Sequence, residues 1–283
     1  MIWFCSILLF IYVVAIALCI IGWARTVPVN KKSGTNSASI AIVIPFRNEE
    51  NHLASTIESI LNQKFSGDFE IILVNDHSED SSSQIAKNYA EEHTRIYLYQ
   101  LVDQTGKKQA LNFGIKKSNS QIILQCDADC THNSSWLNTM YDNFSADCKL
   151  LLGPVKIENN KCTWNWMNEL EMMFLQTITA STLYFGIPTM ANGANLMYRK
   201  EDYFKYKESG IGSNYSSGDD QHLLNYLAKK DAKSIKYCKD KNTIATTAAI
   251  AAGRYSYDLV LDSGAEVTRI LEGKFIVTGA VTT

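Results

Sequence analysis

The chain has 283 residues, with 27 basic and 29 acidic side chains and a formal net charge of −2. This length allows one large α/β domain or two small ones with an ample apolar core, and the absence of a basic tract argues against a nucleic-acid partner. The seven cysteines are scattered, odd in number and without the paired spacing of metal fingers. They are therefore expected to be reduced thiols of a cytoplasmic domain.

The first residues form an uninterrupted apolar segment. Residues 2–23 contain no charged side chain, and a helix of this length, at about 1.5 Å per residue, spans a hydrocarbon core of about 30 Å. We predict an uncleaved transmembrane anchor over residues 1–24, with a cleaved signal peptide as the alternative. Because Arg25, Lys31 and Lys32 follow the segment, the positive-inside rule predicts a single-pass membrane protein whose remaining chain is cytoplasmic.

A polar linker, residues 25–39, leads into a regular alternation of strands and helices. Apolar runs with β-branched residues predict strands, and apolar residues three or four positions apart predict helices. The predicted strands cover residues 40–45, 70–75, 95–101 and 121–126, and the predicted helices follow Asn48 and cover residues 80–92 and 107–117. This alternation predicts an α/β fold with a mostly parallel, Rossmann-like sheet flanked by helices.

Two of the predicted helices carry further expectations. Asn48 is expected to cap the first helix of the domain, with Glu49 and Glu50 in its first turn. Residues 164–185, rich in Trp, Met and Leu, are expected to form a helix packed in the core. The alternatives for this segment are a wall of an acceptor groove or a position near the membrane.

Two aspartates one residue apart follow the buried strand 121–126. Open α/β sheets place their ligand sites at the carboxyl ends of strands. In an extended segment alternate side chains point to the same side, so Asp127 and Asp129 are expected to share one cation. Two carboxylates leave most of an octahedral shell open, which suits Mg²⁺ or Mn²⁺ that already carries phosphates. A polar loop without a ligand is the alternative for an isolated pair of this kind.

Other charged residues occupy comparable positions. Asp76 follows the second strand, where a carboxylate accepts hydrogen bonds from a nucleobase or ribose, and a cap of the next helix is the alternative. Lys107 opens a helix whose free amides attract anions. A solvated helix start without a ligand is the alternative. Asp219 and Asp220 begin a later amphipathic helix, where acidic residues also complement the helix dipole. The first two loops are not glycine-rich, which excludes an ordinary NAD site and a P-loop ATPase.

In their order along the chain, these segments resemble the GT-A-fold, family 2 inverting glycosyltransferases. The resemblance covers roughly residues 39–247 and rests on the motifs Ile44-Pro-Phe-Arg-Asn-Glu-Glu50, Val74-Asn-Asp76, Gly106-Lys-Lys-Gln-Ala-Leu-Asn112, Asp127-Ala-Asp129, Gly153-Pro154, Asn192-Gly-Ala-Asn-Leu196 and Gly218-Asp-Asp220. The ordered set is highly specific, whereas its single members are not. It implies a nucleotide-diphospho-sugar transferase domain over residues 40–247, followed by an atypical tail, residues 248–283.

The resemblance also implies roles for individual residues. The donor-binding residues would lie in the first loop and at the following strand ends: Pro45, Arg47, Asn48, Glu49, Asp76, Lys107 and Asp127. Asp127 would lie by the ribose and a metal-bound water, and Asp129 would hold Mg²⁺ or Mn²⁺ under the diphosphate. Asp220, paired with Asp219, would match the catalytic base. The acceptor side would include Gly193, Ala194 and Asn195.

The implied reaction is a single displacement that inverts the sugar. The implied partners are a nucleotide sugar, with a UDP-sugar favoured, a glycan or lipid-linked acceptor, and membrane lipid. Lys107 and the metal would offset the charge of the departing nucleoside diphosphate.

The end of the chain departs from the family pattern. Many membrane-bound relatives carry Gln-x-x-Arg-Trp after the base and further membrane helices, whereas here no tryptophan follows Trp166 and no bilayer-spanning apolar run follows Trp23. A catalytically impaired protein that only binds nucleotide sugar is therefore one alternative. A nucleotidyltransferase is another, although residues 45–49 do not match the Gly-rich first loop of those enzymes. Within the tail, residues 274–278 predict a strand.

Overall fold

The computed structural model describes residues 2–26, 39–158, 163–212, 218–248, 253–262 and 267–277, and in the last two ranges the backbone alone. The helices are α1 (Ile2–Arg25), α2 (Leu53–Leu61), α3 (Ser82–Glu92), α4 (Lys107–Lys117), α5 (Trp136–Asn143), α6 (Thr163–Tyr184), α7 (Lys200–Glu208) and α8 (Asp219–Asp231), with short 3₁₀ helices at Ala232–Ser234 and Lys241–Thr243. The strands are β1 (Ile40–Phe46), β2 (Phe69–Asn75), β3 (Ile96–Gln100), β4 (Ile122–Cys126), β5 (Cys130–His132), β6 (Leu150–Leu152), β7 (Val155–Ile157), β8 (Asn195–Arg199), β9 (Ile235–Tyr237), β10 (Ala245–Thr247), β11 (Gly253–Asp262) and β12 (Val267–Val277). The four predicted strands and the predicted helices 80–92 and 107–117 are confirmed, with small differences at their ends.

The centre of the protein is a seven-stranded mixed sheet in the order β3-β2-β1-β4-β8-β6-β9. Strands β3, β2, β1 and β4 run parallel, β8 is antiparallel to both of its neighbours, and β9 is parallel to β6. Every residue of β1 is buried, as expected for a strand with helices on both of its faces. The predicted mostly parallel α/β sheet is therefore confirmed. The sheet β5-β10-β7 and the hairpin β11-β12 complete the described strands.

Alternate side chains of the central strands point to opposite faces of the sheet. On one face, Ile42 and Ile44 of β1 pack with apolar residues of α2, α3 and α5. On the other face, Val43 packs with residues of α4, and α7 and α8 cover the far strands. Gly114 allows α4 to approach this face closely, because a Cβ there would lie 2.7 Å from Val43 Cγ1. The helices are thus held by apolar burial, at roughly 25 cal/mol per Å².

The topology gathers several strand ends along one edge of the central sheet. Strands β1, β2, β4, β6 and β9 end there, and the antiparallel strand β8 begins there. We call this the carboxyl edge. Because open α/β sheets bind ligands at such an edge, the polar motifs of the sequence lie where a binding site is expected.

The prediction that Asn48 caps α2 is wrong. Helix α2 begins only at Leu53 and has no acidic residue in its first turn, so Glu49 and Glu50 precede it. Asn48 has a left-handed backbone with φ 56°, and its Oδ1 accepts a 2.8 Å hydrogen bond from the Glu79 amide. The loop after β1 is therefore tied to the loop after β2, a tertiary contact that rules for helix starts do not include.

The prediction that residues 164–185 form a core helix is wrong for the first half of α6. The helix is present, and Gln176, Thr179 and Ala180 in its second half are buried. The first half and the residue that follows it expose large apolar side chains, namely Trp166, Met167, Leu170, Met173 and Phe174. Helix α6 packs against β7, β9 and α1 at one end of the sheet. Within the described part of the chain, these neighbours leave its first half uncovered.

Helix α1 touches the domain through its last turns. A Cβ at Gly22 would lie 2.3 Å from Ser181 O, so the backbones of α1 and α6 are in close contact there. Thr26 Oγ1 donates a 2.8 Å hydrogen bond to Ala180 O. Among the described residues, Trp3–Arg25 is the one helix long and apolar enough to cross a membrane, by length and composition.

The ends of the predicted domain are only partly described. Residues 27–38 of the predicted linker lie outside the described residues, and the division into anchor, linker, domain and tail stays a prediction. In the tail, the predicted strand 274–278 is confirmed for residues 274–277 as part of β12, and Thr278 lies outside the described residues.

Candidate active site

A cavity of about 260 Å³ opens at the carboxyl edge, beside the ends of β1, β2 and β4. Its lining comes from the loops after these strands and from the start of α4: Pro45, Phe46, Arg47, Glu49, Asp76, Lys107, Asp127, Ala128 and Asp129. We call it the charged cavity. Of the residues predicted to bind the donor, Asn48 alone is absent from this lining, because its side chain is bonded to the loop after β2.

Asp127 and the second aspartate of the pair reach the cavity through a turn that follows β4. Cys130 N bonds to Asp127 O at 3.3 Å across this turn. Thr56 Oγ1 of α2 donates a 2.7 Å hydrogen bond to Ala128 O, and this bond holds the turn against α2. Both carboxylates line the same cavity, but a turn brings them together, and the expected alternation of an extended strand does not.

Asp129 is held by the end of β10. Its Oδ2 accepts a 2.7 Å hydrogen bond from Thr247 Oγ1, and its backbone oxygen accepts a hydrogen bond from Ala248 N at 3.2 Å. A hydroxyl donor orients the carboxylate without neutralising it. The charge of Asp129 therefore remains available to a cation.

Lys107 supplies positive charge to the cavity. Its Nζ lies 2.6 Å from Asp127 Oδ1. Burial lowers the pKa of this lysine, but the charges of Asp127, Asp220 and Asp129 outweigh that effect, and the net shift is upward. The ammonium group therefore stays charged and lies within electrostatic reach of three aspartates.

Asp76 joins the second strand to the loop before α4. Its Oδ2 accepts a 2.8 Å hydrogen bond from Gly106 N, and its Oδ1 lies 3.1 Å from His77 Nδ1. At the start of α3, the side chain that accepts a backbone hydrogen bond is that of Asp80, whose Oδ1 lies 3.0 Å from Ser82 N. The alternative that Asp76 caps the next helix is therefore wrong, and its carboxylate lines the charged cavity.

Negative charge is concentrated in this cavity. Burial raises the pKa of Glu49 to about 7, and the charges of Asp129 and Asp127 add to this effect. Lys107 acts in the opposite direction without cancelling it. Carboxylates that repel one another in this way favour the binding of a cation between them.

Within the part of the chain that the structure describes, no group of three or more His, Cys, Asp or Glu side chains is arranged to hold a metal ion. Asp127 and Asp129 fit a cation that takes fewer protein ligands. Both are hard oxygen donors in a cavity with room for phosphate groups, so the remaining positions would be filled by phosphate oxygens and water. This donor set suits Mg²⁺ or Mn²⁺.

Asp220 lies in the first turn of α8 and contacts the segment before β8. Its Oδ2 accepts a 2.9 Å hydrogen bond from Gly193 N, and its Oδ1 accepts one of 2.9 Å from Gln221 N. A Cβ at Gly193 would lie 2.6 Å from Gln125 Nε2, so a larger residue at this position would displace the Gln125 side chain. Since the charge of Asp220 raises the pKa of Lys107, its carboxylate lies within electrostatic reach of the charged cavity.

The adjacent Asp219 lies buried in a polar cluster between α7, α8 and the start of α4. Its carboxylate accepts hydrogen bonds from Tyr206 Oη at 2.7 Å and Tyr203 Oη at 3.2 Å. Its oxygens also lie 3.4 Å from Lys108 Nζ and 3.5 Å from Lys207 Nζ. A carboxylate with this many donors is suited to anchor its surroundings, and this setting does not favour the predicted catalytic role of Asp219.

The side chain of Asn195, one of the predicted acceptor-side residues, is engaged in the core. Its Nδ2 donates hydrogen bonds to Pro154 O at 2.8 Å and Thr243 O at 2.7 Å. Its Oδ1 accepts one of 3.1 Å from Trp136 Nε1, and the residue is fully buried. This side chain therefore does not reach an acceptor, which leaves the roles of Gly193 and Ala194 as predictions.

Gly153, from the Gly153-Pro154 motif, lies directly against Asn195. Gly153 N donates a 2.9 Å hydrogen bond to Asn195 O, and a Cβ at Gly153 would lie 2.3 Å from Asn195 Nδ2. The glycine of this motif is thus required by packing, because it makes room for the Asn195 amide.

Three residues that shape the site were not predicted from the sequence: Thr56, Gln125 and Thr247. Thr56 belongs to the buried face of α2, and Thr247 ends a three-residue strand. Their partners in the aspartate turn lie 72 and 118 positions away along the chain. No local pattern marks such contacts, so the folded chain is needed to identify them.

Parts of this chain are similar in sequence to known proteins. The model of glycosyl transferase family 2 matches residues 41–204. The minor teichoic acid biosynthesis protein GgaA of Bacillus subtilis is 33% identical over 108 residues, which is 37% of this chain and 24% of GgaA. The poly-beta-1,6-N-acetyl-D-glucosamine synthase of Staphylococcus aureus is 27% identical over 177 residues, 60% of this chain and 42% of the synthase. The matches span less than half the length of these two curated relatives.

Solved structures share the fold. The mannosyltransferase PcManGT from Pyrobaculum calidifontis, in complex with GDP-Man and Mn²⁺, has a TM-score of 0.63 at 16% identity, covering 83% of this chain and 67% of PcManGT. S. aureus TarS in complex with UDP-GlcNAc has a TM-score of 0.53 at 18% identity, covering 75% of this chain and 59% of the TarS chain. These structures and the mostly parallel sheet define a GT-A fold. The chain belongs to glycosyl transferase family 2.

Proposed function

We propose that this glycosyltransferase moves a sugar from a nucleotide-sugar donor to an acceptor hydroxyl by a metal-assisted, inverting single displacement. The observation that carries the proposal is the charged cavity, in which Asp127 and Asp129 face the same space as Lys107. Asp220 lies within electrostatic reach of that lysine. These groups suit the two tasks of the reaction, which are to stabilise a departing diphosphate and to remove a proton from the acceptor.

The donor would bind along the loops after β1 and β2. Asp76 would accept hydrogen bonds from the base or ribose, with Pro45, Arg47 and Glu49 forming the neighbouring wall of the cavity. We favour a UDP-sugar, which is supported by the complex of TarS with UDP-GlcNAc. A GDP-sugar is the alternative, because PcManGT was solved with GDP-Man.

Asp129 and Asp127 would hold a Mg²⁺ or Mn²⁺ ion, which when bound supplies positive charge beside the donor diphosphate. Lys107 adds a second positive charge at the same place. Its ion pair with Asp127 holds the ammonium group ready before the donor arrives, and Thr247 orients Asp129. Less reorganisation is then needed when the leaving group develops its charge.

Asp220 would act as the general base. The acceptor oxygen attacks the anomeric carbon, the bond between that carbon and the phosphate oxygen breaks, and the nucleoside diphosphate leaves with the electron pair. The proton of the acceptor hydroxyl passes to the Asp220 carboxylate. A single displacement from the opposite side inverts the anomeric centre. The hydrogen bond from Gly193 N holds the base in place.

Asp219 would act as a positioning residue. It ties the first turn of α8 to Tyr203 and Tyr206 of α7. It is also paired with Lys108, whose Nζ donates a hydrogen bond to Gly212 O. Through these contacts Asp219 would fix the place at which Asp220 emerges from the helix.

The acceptor would be a glycan or a lipid-linked sugar at the membrane. Helix α1 is a candidate single-pass anchor, and Arg25 at its end favours a cytoplasmic domain by the positive-inside rule. An anchored enzyme meets membrane-bound acceptors at a high effective concentration. The names of two relatives, a teichoic acid biosynthesis protein and a polysaccharide synthase, support a role in polysaccharide biosynthesis.

The test is release of nucleoside diphosphate from a panel of nucleotide sugars by the detergent-purified chain, with Mn²⁺ and a membrane extract as the source of acceptor. Asp129→Ala should abolish the release. The matched control is Asp68→Asn, at an exposed aspartate outside the cavity, which should retain it. Nucleotide binding without release would favour a protein that only binds the donor. Release of pyrophosphate from a nucleoside triphosphate would favour a nucleotidyltransferase.

A further inference from the structure

One face of α6 between residues 166 and 174 is apolar, and no other described residue covers it. Five large side chains there are between 44% and 64% exposed: Trp166, Met167, Leu170, Met173 and Phe174. Single exposed apolar residues are common on protein surfaces, but a contiguous group of them marks a surface that something else covers.

These residues form one stripe along the helix. Leu170 and Phe174 follow Trp166 at intervals of four positions, and Met173 lies between them on the same face. At about 100° per residue this face continues to Ala180, whose backbone oxygen accepts the hydrogen bond from the end of α1. The first half of the stripe is therefore open, and its second half carries α1.

The apolar surface continues on the other side of α1. Tyr184, Phe185 and Ile187, at and after the end of α6, are also exposed. A Cβ at Gly22 would lie 3.0 Å from Phe185 Cε2, so the Phe185 side chain is in contact with α1. Along α6, the contact with α1 lies between two exposed apolar patches.

Basic and aromatic side chains surround the same end of α1. Lys239 Nζ donates a 2.7 Å hydrogen bond to Trp23 O and lies 4.9 Å from the Trp23 ring. Lys239 and Lys241 border a cavity of about 370 Å³ beside α1 and α6, and Arg25 ends α1. Tryptophan with Lys and Arg at a helix end is typical of the boundary between water and lipid, and clustered basic residues attract anionic headgroups.

We propose that the open half of α6 lies in the interfacial layer of the bilayer that α1 spans. The inference rests on the membrane anchor of the proposed function. A bilayer is favoured over a second copy of the chain, because the stripe is continuous with the place where α1 leaves the domain. Helices with one apolar face lie along the boundary between headgroups and acyl chains in this way.

This placement gives the acceptor a route to the site. The cavity that Lys239 borders also includes Pro154, next to the end of β6, and Tyr237, at the end of β9. Both belong to the carboxyl edge. With α6 on the bilayer, the β9 end of this edge faces the headgroups, and an acceptor carried by a lipid reaches Asp220 from that side. The donor enters at the opposite side, beside β1 and β2.

A photo-crosslinking benzophenone amino acid in place of Phe174 tests the proposal in the full-length chain. The variant is reconstituted in vesicles of phosphatidylcholine and phosphatidylglycerol and irradiated. Mass spectrometry then detects lipid adducts of the protein. The matched control carries the same amino acid at Val102, which is exposed after β3 at the other end of the sheet. We expect lipid adducts at position 174 and none above background at position 102.

Flotation of the vesicles is measured first, and it does not depend on sugar transfer. A chain that does not float would overturn the anchor and this inference together. A chain that floats but forms no adduct at position 174, or equal adducts at both positions, would overturn the placement of α6 alone. A crosslinked dimer through position 174 would assign the face to a second copy of the chain. Failure of the proposed reaction would leave all of these readouts unchanged.

Discussion

The two halves of the carboxyl edge are built on different principles. At the ends of β1, β2 and β4, charged side chains converge on one cavity. At the start of β8 and the ends of β6 and β9, polar side chains are engaged with one another, as the surroundings of Asp219 and Asn195 show. In the proposed function, charge in the first half binds the donor and the metal, whereas the polar side chains of the second half fix the backbone. The residue type alone therefore does not reveal the task, as the neighbours Asp219 and Asp220 illustrate.

The strongest test of this comparison is to neutralise Asp220. Asp220→Asn should lower kcat for sugar transfer by a factor of about 10²–10⁴, the usual contribution of a general base. The free energy of unfolding should change by less than about 1 kcal/mol, because the hydrogen bonds that this carboxylate accepts from the described residues come from the backbone amides of Gly193 and Gln221. Release of nucleoside diphosphate reports kcat, and urea denaturation reports stability. Full activity in the variant would contradict the assignment of the base.

Neutralising Asp219 should lower the stability of the fold more than neutralising Asp220 does. Asp219→Asn removes the carboxylate that lies 3.4 Å from Lys108 Nζ, and loss of one member of a buried pair costs roughly 3 kcal/mol. Lys207, which is partly exposed, contributes less to this cost. Urea denaturation of the two variants side by side makes the comparison. A variant as stable as the unmodified chain would remove the anchoring role of Asp219.

His132 provides a test of the packing beside the charged cavity. Burial lowers its pKa from the ordinary 6.5 to about 3, and its ring stacks on Trp136 with the centroids 3.7 Å apart. Between these values the unfolded chain binds a proton that the folded chain does not, so stability falls as the pH drops below 6.5.

The size of this effect is of order 1–2 kcal/mol at pH 5 relative to pH 7. In His132→Phe this part of the decline should disappear, while His93→Gln, the matched control, should keep it. Urea denaturation at pH 7, 6 and 5 measures the slope. Parallel profiles for His132→Phe and the unmodified chain would show that His132 is not kept neutral by burial.

The smallest effect is expected for the hydrogen bond that orients Asp129. Thr247→Val removes this bond at nearly constant volume, a loss of about 1 kcal/mol. The Mn²⁺ concentration for half-maximal release of nucleoside diphosphate should then rise roughly fivefold. Thr246→Val is the control, because neighbouring residues of a strand point to opposite sides. An unchanged Mn²⁺ dependence would show that the hydrogen bond from Thr247 does not contribute to cation binding.

The first half of the edge could be predicted because its signals are local. Each of the first strands is an apolar run followed by a polar loop, and a parallel sheet brings those loops together regardless of their distance along the chain. Asp76 and Asp127 were found in this way and Lys107 from its place at the start of a helix, and the structure places all three in one cavity.

The second half could not be predicted in the same detail, because its side chains are bonded to distant partners. The Asn195 amide contacts residues 41, 48 and 59 positions away, and sequence spacing does not show such contacts. The prediction that Asn48 caps a helix is wrong for the same reason, since the hydrogen-bond partner of its side chain lies in another loop. For α6, apolar composition indicates that a face will be covered but does not say whether protein or lipid covers it.

The contact between Gly153 and Asn195 limits which sequences this fold accepts. Any larger residue at position 153 places its Cβ inside the Asn195 side chain. A displaced amide would break the hydrogen bonds that Asn195 makes with buried Trp136 Nε1 and Thr243 O. Pro154 O would lose one hydrogen bond and keep the one from Ala245 N. The two positions are thus expected to vary as a pair. In a mutant library selected for folding, suitable double substitutions would survive where each single substitution is lost.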